Sequence, residues 1–199
     1  MAATATRRDP EARGAGRVPG EPGTWVLVLG EMTLFLALFV AFLVGRADDP
    51  ELFAAGTDRL EVGFGLADTA ILLTSSLLVA AAVRLHRAGR PVPAARSAAA
   101  AGLCALLFVV SKAVEWAGHA GDGDGPTADP FWTLYYTVTG MHLLHVLVGS
   151  LGLVLLHRRV RRPTGGPGDR VVIEGAASYW HMVDLLWVLI LPLVYLASA

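Results

Sequence analysis

The sequence is poor in charged residues and contains one cysteine and one lysine. Charged residues make up 17% of the 199 residues, whereas a soluble domain has about a quarter, so an ordinary soluble globular domain is excluded. The single cysteine, Cys104, excludes an intrachain disulfide, a cysteine-rich zinc site and a Cys-x-x-Cys redox motif. Basic and acidic residues nearly cancel, to a net charge of -1. The composition therefore offers no basic face for nucleic acid.

Hydrophobic residues form long runs separated by short polar connections. A helix needs about 20 apolar residues to cross roughly 30 Å of hydrocarbon, and five runs have that length. They cover residues 25–44, 64–83, 98–117, 131–156 and 176–197. The sequence therefore predicts an all-α integral membrane protein, a bundle of five transmembrane helices over residues 23–199. Residues 1–22 have no apolar run and are predicted to be a disordered cytoplasmic tail.

The distribution of arginine predicts how the chain crosses the membrane. Arg and Lys outside the runs number four in the tail, four in the second connection and five in the fourth, against two in the first and none in the third. Cytoplasmic loops carry the excess of basic residues, so the tail and the second and fourth connections are predicted to be cytoplasmic. We therefore expect the N-terminus inside and the C-terminus outside.

Several ionisable residues fall within the predicted spans, where each is a candidate functional residue. Helix rise places four of these at similar depth, with His145 as the fifth and less closely matched member, and we expect the five to form one intramembrane polar cluster: Glu31, His142, His145, His181 and Asp184. The i, i+3 spacing of the two residues on each of the last two spans predicts that His181 and Asp184 pair with His142 or His145 across the two helices. Three interpretations stay open: helix–helix hydrogen bonding, a haem or metal ligand set, and a proton relay.

Three further charged residues lie nearer the predicted outer ends of the second and third spans. Asp68 is on the second span, and Lys112 and Glu115 have i, i+3 spacing on the third. We expect Lys112 and Glu115 to form an ion pair within their helix, with the charged groups reaching the membrane interface along their flexible stems.

Two segments carry a specific resemblance. The patterns G-x-H-x-x-H-V at residues 140–146 and E-x-x-x-x-Y-W-H-x-V-D-x-x-W at residues 174–187 resemble the last two helices of the cytochrome c oxidase subunit III family of haem-copper oxidases. The segment WVLVLGEMTLFLALF is similar to the family helix that carries an intramembrane glutamate, here Glu31. The other family-motif positions are Asp68, Glu115, Glu174, Trp180 and Trp187.

This resemblance implies a role as an accessory subunit. Long members of the family have seven helices, and residues 23–197 match from the third, so the chain resembles the five-helix short form. Its opening segment and general size are most similar to the branch associated with nitric oxide reductase, the NorE-like proteins. The location implied is the bacterial plasma membrane, as a multi-pass protein.

The resemblance also implies how the chain would work. It implies a non-catalytic subunit without a cofactor or metal of its own, supporting catalytic subunit I of a haem-copper oxidase in aerobic electron transport and proton uptake. Haem and copper would lie in that partner, and a structural phospholipid is a further candidate ligand. The alternatives are a NorE-like accessory protein of nitric oxide reductase, a free-standing haem or metal redox protein using His142, His145 and His181, and a small transporter. The transporter lacks support because no inverted repeat is visible.

Overall fold

The computed structural model describes residues 22–162 and 166–196, and within these residues all regular structure is helical. The helices are α1 (Pro22–Asp48), α2 (Pro50–Asp58), α3 (Val62–Arg87), α4 (Pro91–Gly121), α5 (Pro130–Val160) and α6 (Pro167–Tyr195). Five of them, all but α2, are long and apolar enough to cross a membrane. The predicted all-α membrane architecture is confirmed. The predicted disordered tail lies outside the described residues, apart from Pro22.

The membrane helices extend beyond the apolar runs that predicted them. α4 begins at Pro91 and α6 at Pro167, whereas the runs begin at residues 98 and 176. Both helices have proline in the first turn, where the missing N–H costs nothing and the fixed φ favours the helical conformation. Arg96 lies in the second turn of α4 and Arg170 in the first turn of α6, so a search for apolar runs starts too late.

The short helix α2 lies in a segment that the sequence analysis treated as a connection. The Asp49 side chain caps it by accepting a hydrogen bond from the Leu52 backbone N–H at 3.1 Å, and Pro50 follows in the first turn. Phe53 of α2 is buried, and its ring centroid lies 5.3 Å from that of Phe42 on α1 and 5.6 Å from that of Phe131 on α5. These aromatic contacts attach α2 to the end of the bundle.

Helices α3–α6 form the core of the fold. α3 packs against α4 and α6, and α5 packs against the same two helices, so the four make a closed bundle. α1 packs outside it, against α5 and α6. Phe35 and Phe42 are the buried side chains among those described for α1. α1 is therefore the helix that exposes most of its surface to its surroundings.

The two ends of the bundle differ in charge. The connections from α1 to α3 and from α4 to α5 form an acidic end, with Asp48, Asp49, Glu51, Asp58, Glu61, Asp122, Asp124 and Asp129 against Arg46 and Arg59. The connections from α3 to α4 and from α5 to α6 form a basic end. It carries Arg84, Arg87, Arg90, Arg96, Arg158, Arg159, Arg161, Arg162 and Arg170 against Asp169 and Glu174. The assignment of the basic end to the cytoplasm stays a prediction.

Candidate functional site

A carboxyl–imidazole pair joins α1 to the bundle. Glu31 Oε2 lies 2.7 Å from His145 Nε2, and His145 Nδ1 lies 2.6 Å from the Met141 carbonyl oxygen. A carbonyl oxygen only accepts, so Nδ1 carries a hydrogen and donates it to Met141. The Glu31–His145 contact then contains one proton, held either as carboxylic acid beside neutral imidazole or as carboxylate beside imidazolium. Both forms are neutral overall, which suits a position within the membrane.

The other histidine of the α5 pair points into the bundle. His142 is fully buried and forms no hydrogen bond with any described residue. Its ring centroid lies 6.5 Å from that of Phe35, 5.5 Å from that of Phe108 and 5.1 Å from that of Trp187. His142 and His145 therefore occupy different surroundings although three residues separate them.

On α6, His181 and Asp184 do not pair with the α5 histidines. His181 Nδ1 lies 2.6 Å from the Ser76 hydroxyl on α3. Asp184 is buried beside Ser76, yet neither of its oxygens has a hydrogen bond within the described residues. The predicted pairing across α5 and α6 is therefore wrong, because α6 turns these two side chains toward α3 and the bundle interior.

A second polar group, which we call the ion cluster, consists of Asp68, Lys112, Glu115, Tyr135 and Tyr195. Lys112 Nζ donates to Glu115 Oε2 and lies 3.2 Å from Asp68 Oδ2. Tyr195 and Tyr135 donate to Glu115 Oε1 at 2.6 and 2.9 Å, and Lys112 Nζ also donates to the Tyr195 hydroxyl at 2.6 Å. The cluster thus connects α3, α4, α5 and α6.

The predicted ion pair between Lys112 and Glu115 is present, but burial of the ion cluster overturns the expectation that its charged groups reach the interface. Their side chains are 0% and 2% exposed, so the charged groups do not reach the interface. Lys112 points inward because two carboxylates, a phenol and the ring of Trp187, whose centroid is 4.6 Å from Nζ, surround it. A desolvated ammonium keeps several partners of this kind or loses its charge.

The remaining family-motif positions have structural contacts. Trp187 donates its indole N–H to the Thr69 hydroxyl at 3.1 Å. Trp180 packs on Gly149, where an added Cβ would lie 2.8 Å from an indole carbon. Glu174, at the basic end, binds Arg87 of α3 at 2.9 Å. These contacts hold α6 against α3 and α5.

The three histidines of the haem or metal hypothesis do not converge. Aromatic rings surround His142, whereas His145 contacts Glu31 and His181 contacts Ser76. Within the described residues, no group of three or more His, Cys, Asp or Glu side chains is arranged to hold a metal ion. The geometry therefore favours the first interpretation of these residues, hydrogen bonding between helices, for Glu31, His145 and His181.

Comparison with known proteins identifies the family of this chain. The family described as cytochrome c oxidase subunit III matches residues 20–199, which is nearly the whole chain. The chain belongs to the cytochrome c oxidase subunit III family. The expected family is thereby confirmed, and with five membrane helices the protein is a multi-pass protein of the bacterial plasma membrane.

Curated relatives extend this subunit III match over most of their own length. A cytochrome bo(3) ubiquinol oxidase subunit 3 of Pseudomonas aeruginosa is 28% identical over 182 residues, which cover 89% of this chain and 84% of that protein. A cytochrome c oxidase subunit 3 of Synechocystis sp. is 29% identical, with 87% of this chain and 74% of the relative covered. A probable quinol oxidase subunit 3 of Staphylococcus aureus is 26% identical, with 87% of each chain covered.

Proposed function

We propose that the chain is a non-catalytic accessory subunit that packs beside catalytic subunit I of a haem-copper oxidase. The observation that carries this proposal is the subunit III match over residues 20–199. Its relatives are named as the third subunits of quinol oxidases and of cytochrome c oxidases. In this proposal the haem and copper lie in the partner, which performs aerobic electron transport.

The side-chain contacts support a non-catalytic role. Glu31 and His145 bind each other, and the Glu115 carboxylate accepts from a lysine and two tyrosines. Side chains whose hydrogen-bonding atoms are already occupied by one another hold helices together. Within the described residues, these side chains do not form a nucleophile activated by a base beside an oxyanion site. In this proposal the chain therefore positions and stabilises the catalytic subunit of its complex.

The Glu31–His145 pair has a specific part in this proposal. α1 lies outside the four-helix bundle, and this pair is its polar link to α5. Two adjoining cavities, each of about 270 Å³, lie between α1 and α6 and share Met32. We propose that a phospholipid acyl chain occupies this groove and that the pair fixes α1 at the angle that keeps the groove open.

Purification with the partner tests the main proposal. The tagged chain, extracted in mild detergent, is expected to bring down a haem-containing catalytic subunit with the spectrum of a haem-copper oxidase. A nitric oxide reductase catalytic subunit in its place would instead support the NorE-like alternative. The chain purified alone with a haem Soret band that the His142→Ala variant loses would overturn the cofactor-free subunit and support the redox-protein alternative.

The role of the pair is tested in the assembled enzyme. Glu31→Gln replaces the carboxyl by an amide that does not exchange a proton with His145. We expect initial turnover close to that of the unmodified complex and earlier loss of activity during sustained turnover. The matched control is Glu51→Gln, an exposed carboxylate at the acidic end. Equal durability of Glu31→Gln and the control would show that the pair does not support the partner.

A further inference from the structure

Three buried polar side chains of α5 and α6 have no hydrogen-bond partner among the described residues. They are both ring nitrogens of His142, the indole N–H of Trp180 and both carboxyl oxygens of Asp184. Their residues are 0%, 0% and 3% exposed, so solvent at the protein surface does not satisfy them. Leaving so many polar atoms bare within a membrane protein is strongly unfavourable. These residues form what we call the α5–α6 polar site.

The three side chains lie along the face of α6 that packs against α5 and α3, where the Ser76 hydroxyl of α3 lies beside Asp184. Gly149 of α5 faces Trp180, and the His142 ring faces Trp187. Asp184 comes four residues after Trp180 and three before Trp187, so it lies on the same face of α6 and between the two levels. At 1.5 Å per residue, the axial steps from Asp184 are about 6 Å and about 4.5 Å.

The atoms of the site complement each other but do not touch. The indole N–H donates, the carboxyl oxygens accept, and a neutral imidazole has one donor and one acceptor nitrogen. Asp184 does not form a hydrogen bond with His142, and Trp180 does not form one with either residue. A small molecule that both donates and accepts would satisfy all three side chains.

We infer that the α5–α6 polar site binds ordered water, which bridges Trp180, Asp184 and His142. Water needs two to four polar partners in a buried site, and this site supplies them. A divalent cation does not fit, because calcium and magnesium take six or more oxygen ligands and the site has one carboxyl group. The water is an internal part of the subunit.

Aromatic rings separate this site from the ion cluster. Trp187 contacts Lys112 of the cluster and also His142 of the polar site. Phe108 packs on both His142 and Trp187, with centroid distances of 5.5 and 5.0 Å. The bound water is thus confined to the polar site and does not continue into the cluster.

Hydroxyl-radical footprinting tests the inference, because X-ray pulses generate the radicals from water where it lies. The full chain in lipid nanodiscs is irradiated, and the oxidation rate of each residue is measured by mass spectrometry and corrected for intrinsic reactivity. Trp180 and His142 are expected to be oxidised several-fold faster than Phe42 and Phe53, which are equally buried in an apolar aromatic contact. Rates as low as those of the two phenylalanines would overturn the inference without any variant.

Two variants test whether the oxidation of Trp180 depends on the carboxyl oxygens of Asp184. Asp184→Leu removes both acceptors and is expected to reduce the oxidation of Trp180 several-fold, whereas Asp184→Asn, which keeps polar atoms, is expected to retain most of it. Labelling of Trp180 that persists unchanged in Asp184→Leu would overturn the inference, because the radicals would then come from water that Asp184 does not hold. If Asp184→Leu does not fold, the comparison of Trp180 with Phe42 in the unmodified chain still decides.

Discussion

Removal of the one cation in the ion cluster is the perturbation with the largest expected effect on stability. Lys112→Met keeps an unbranched side chain of similar length and leaves Asp68 and Glu115 without their counter-charge. Lys112 Nζ lies 3.2 Å from Asp68 Oδ2. At this distance and an effective dielectric constant of about 20, two opposite unit charges attract each other by roughly 5 kcal/mol. Breaking a buried pair by deleting one partner costs about 3 to 5 kcal/mol, and we expect a loss in that range.

The assay is unfolding of the purified chain in detergent micelles, followed by tryptophan fluorescence. The matched control is Arg170→Met at the basic end, where the arginine side chain is 73% exposed and lies 3.5 Å from Glu174. Exposed pairs of this kind contribute about 0 to 1 kcal/mol. We therefore expect Arg170→Met to unfold almost as the unmodified chain does, and Lys112→Met to unfold much earlier.

A compensated variant separates charge from packing. Lys112→Met combined with Asp68→Asn and Glu115→Gln removes all three charges while retaining similar side-chain volumes. Because the expected loss in Lys112→Met comes from buried charges left without a counter-charge, the triple variant, which buries none of the three charges, is expected to recover most of that loss. A triple variant as unstable as Lys112→Met would refute the electrostatic reasoning, as would a Lys112→Met variant with unchanged stability.

Further predictions concern packing, capping and topology. Gly149→Ala is expected to destabilise the chain by about 1 to 3 kcal/mol, because the new methyl group meets an indole ring. The control is Gly102→Ala, which adds the same methyl group to a helix in open space and is expected to cause no loss of stability. Asp49→Ala removes the N-cap of α2 and is expected to cost about 1 kcal/mol, measured by the same unfolding assay, and equal stability would contradict the capping role. In a chain with Cys104 replaced by alanine, Arg161→Cys is expected to react with a membrane-impermeant thiol reagent only after the cells are permeabilised. Glu61→Cys is expected to react with the same reagent in intact cells. The reverse pattern would contradict the predicted topology.

The long helices could be predicted because apolar length is a property of the sequence alone. α2 was not predicted, because it has nine residues and a search for apolar runs about 20 residues long does not detect it. Its start is nevertheless visible as Asp49 followed by Pro50, the pair that caps and opens the helix. A search for helix starts within the polar connections would have found it.

The ion cluster could be predicted only in part. Sequence position places Asp68, Lys112 and Glu115 near the same end of neighbouring helices, which is enough to suggest a contact. It does not show that Tyr135 and Tyr195 complete the cluster, because tyrosines near helix ends also occur at membrane interfaces. The two phenols change the expectation for Lys112 from an interfacial position to burial, since they supply the partners that a buried ammonium and carboxylate need.

The five-residue polar cluster shows what depth along a helix leaves undetermined. Residues at i and i+3 are separated by about 300° of rotation, or 60° the shorter way round, so His142 and His145 share a face but do not share a direction. Close contact between Gly149 and Trp180 fixes the rotation of α5 against α6, and with that rotation His145 meets Glu31 of α1 while His142 enters the bundle. Depth therefore selects which residues are candidates, whereas the small residue at the helix contact decides which of them meet.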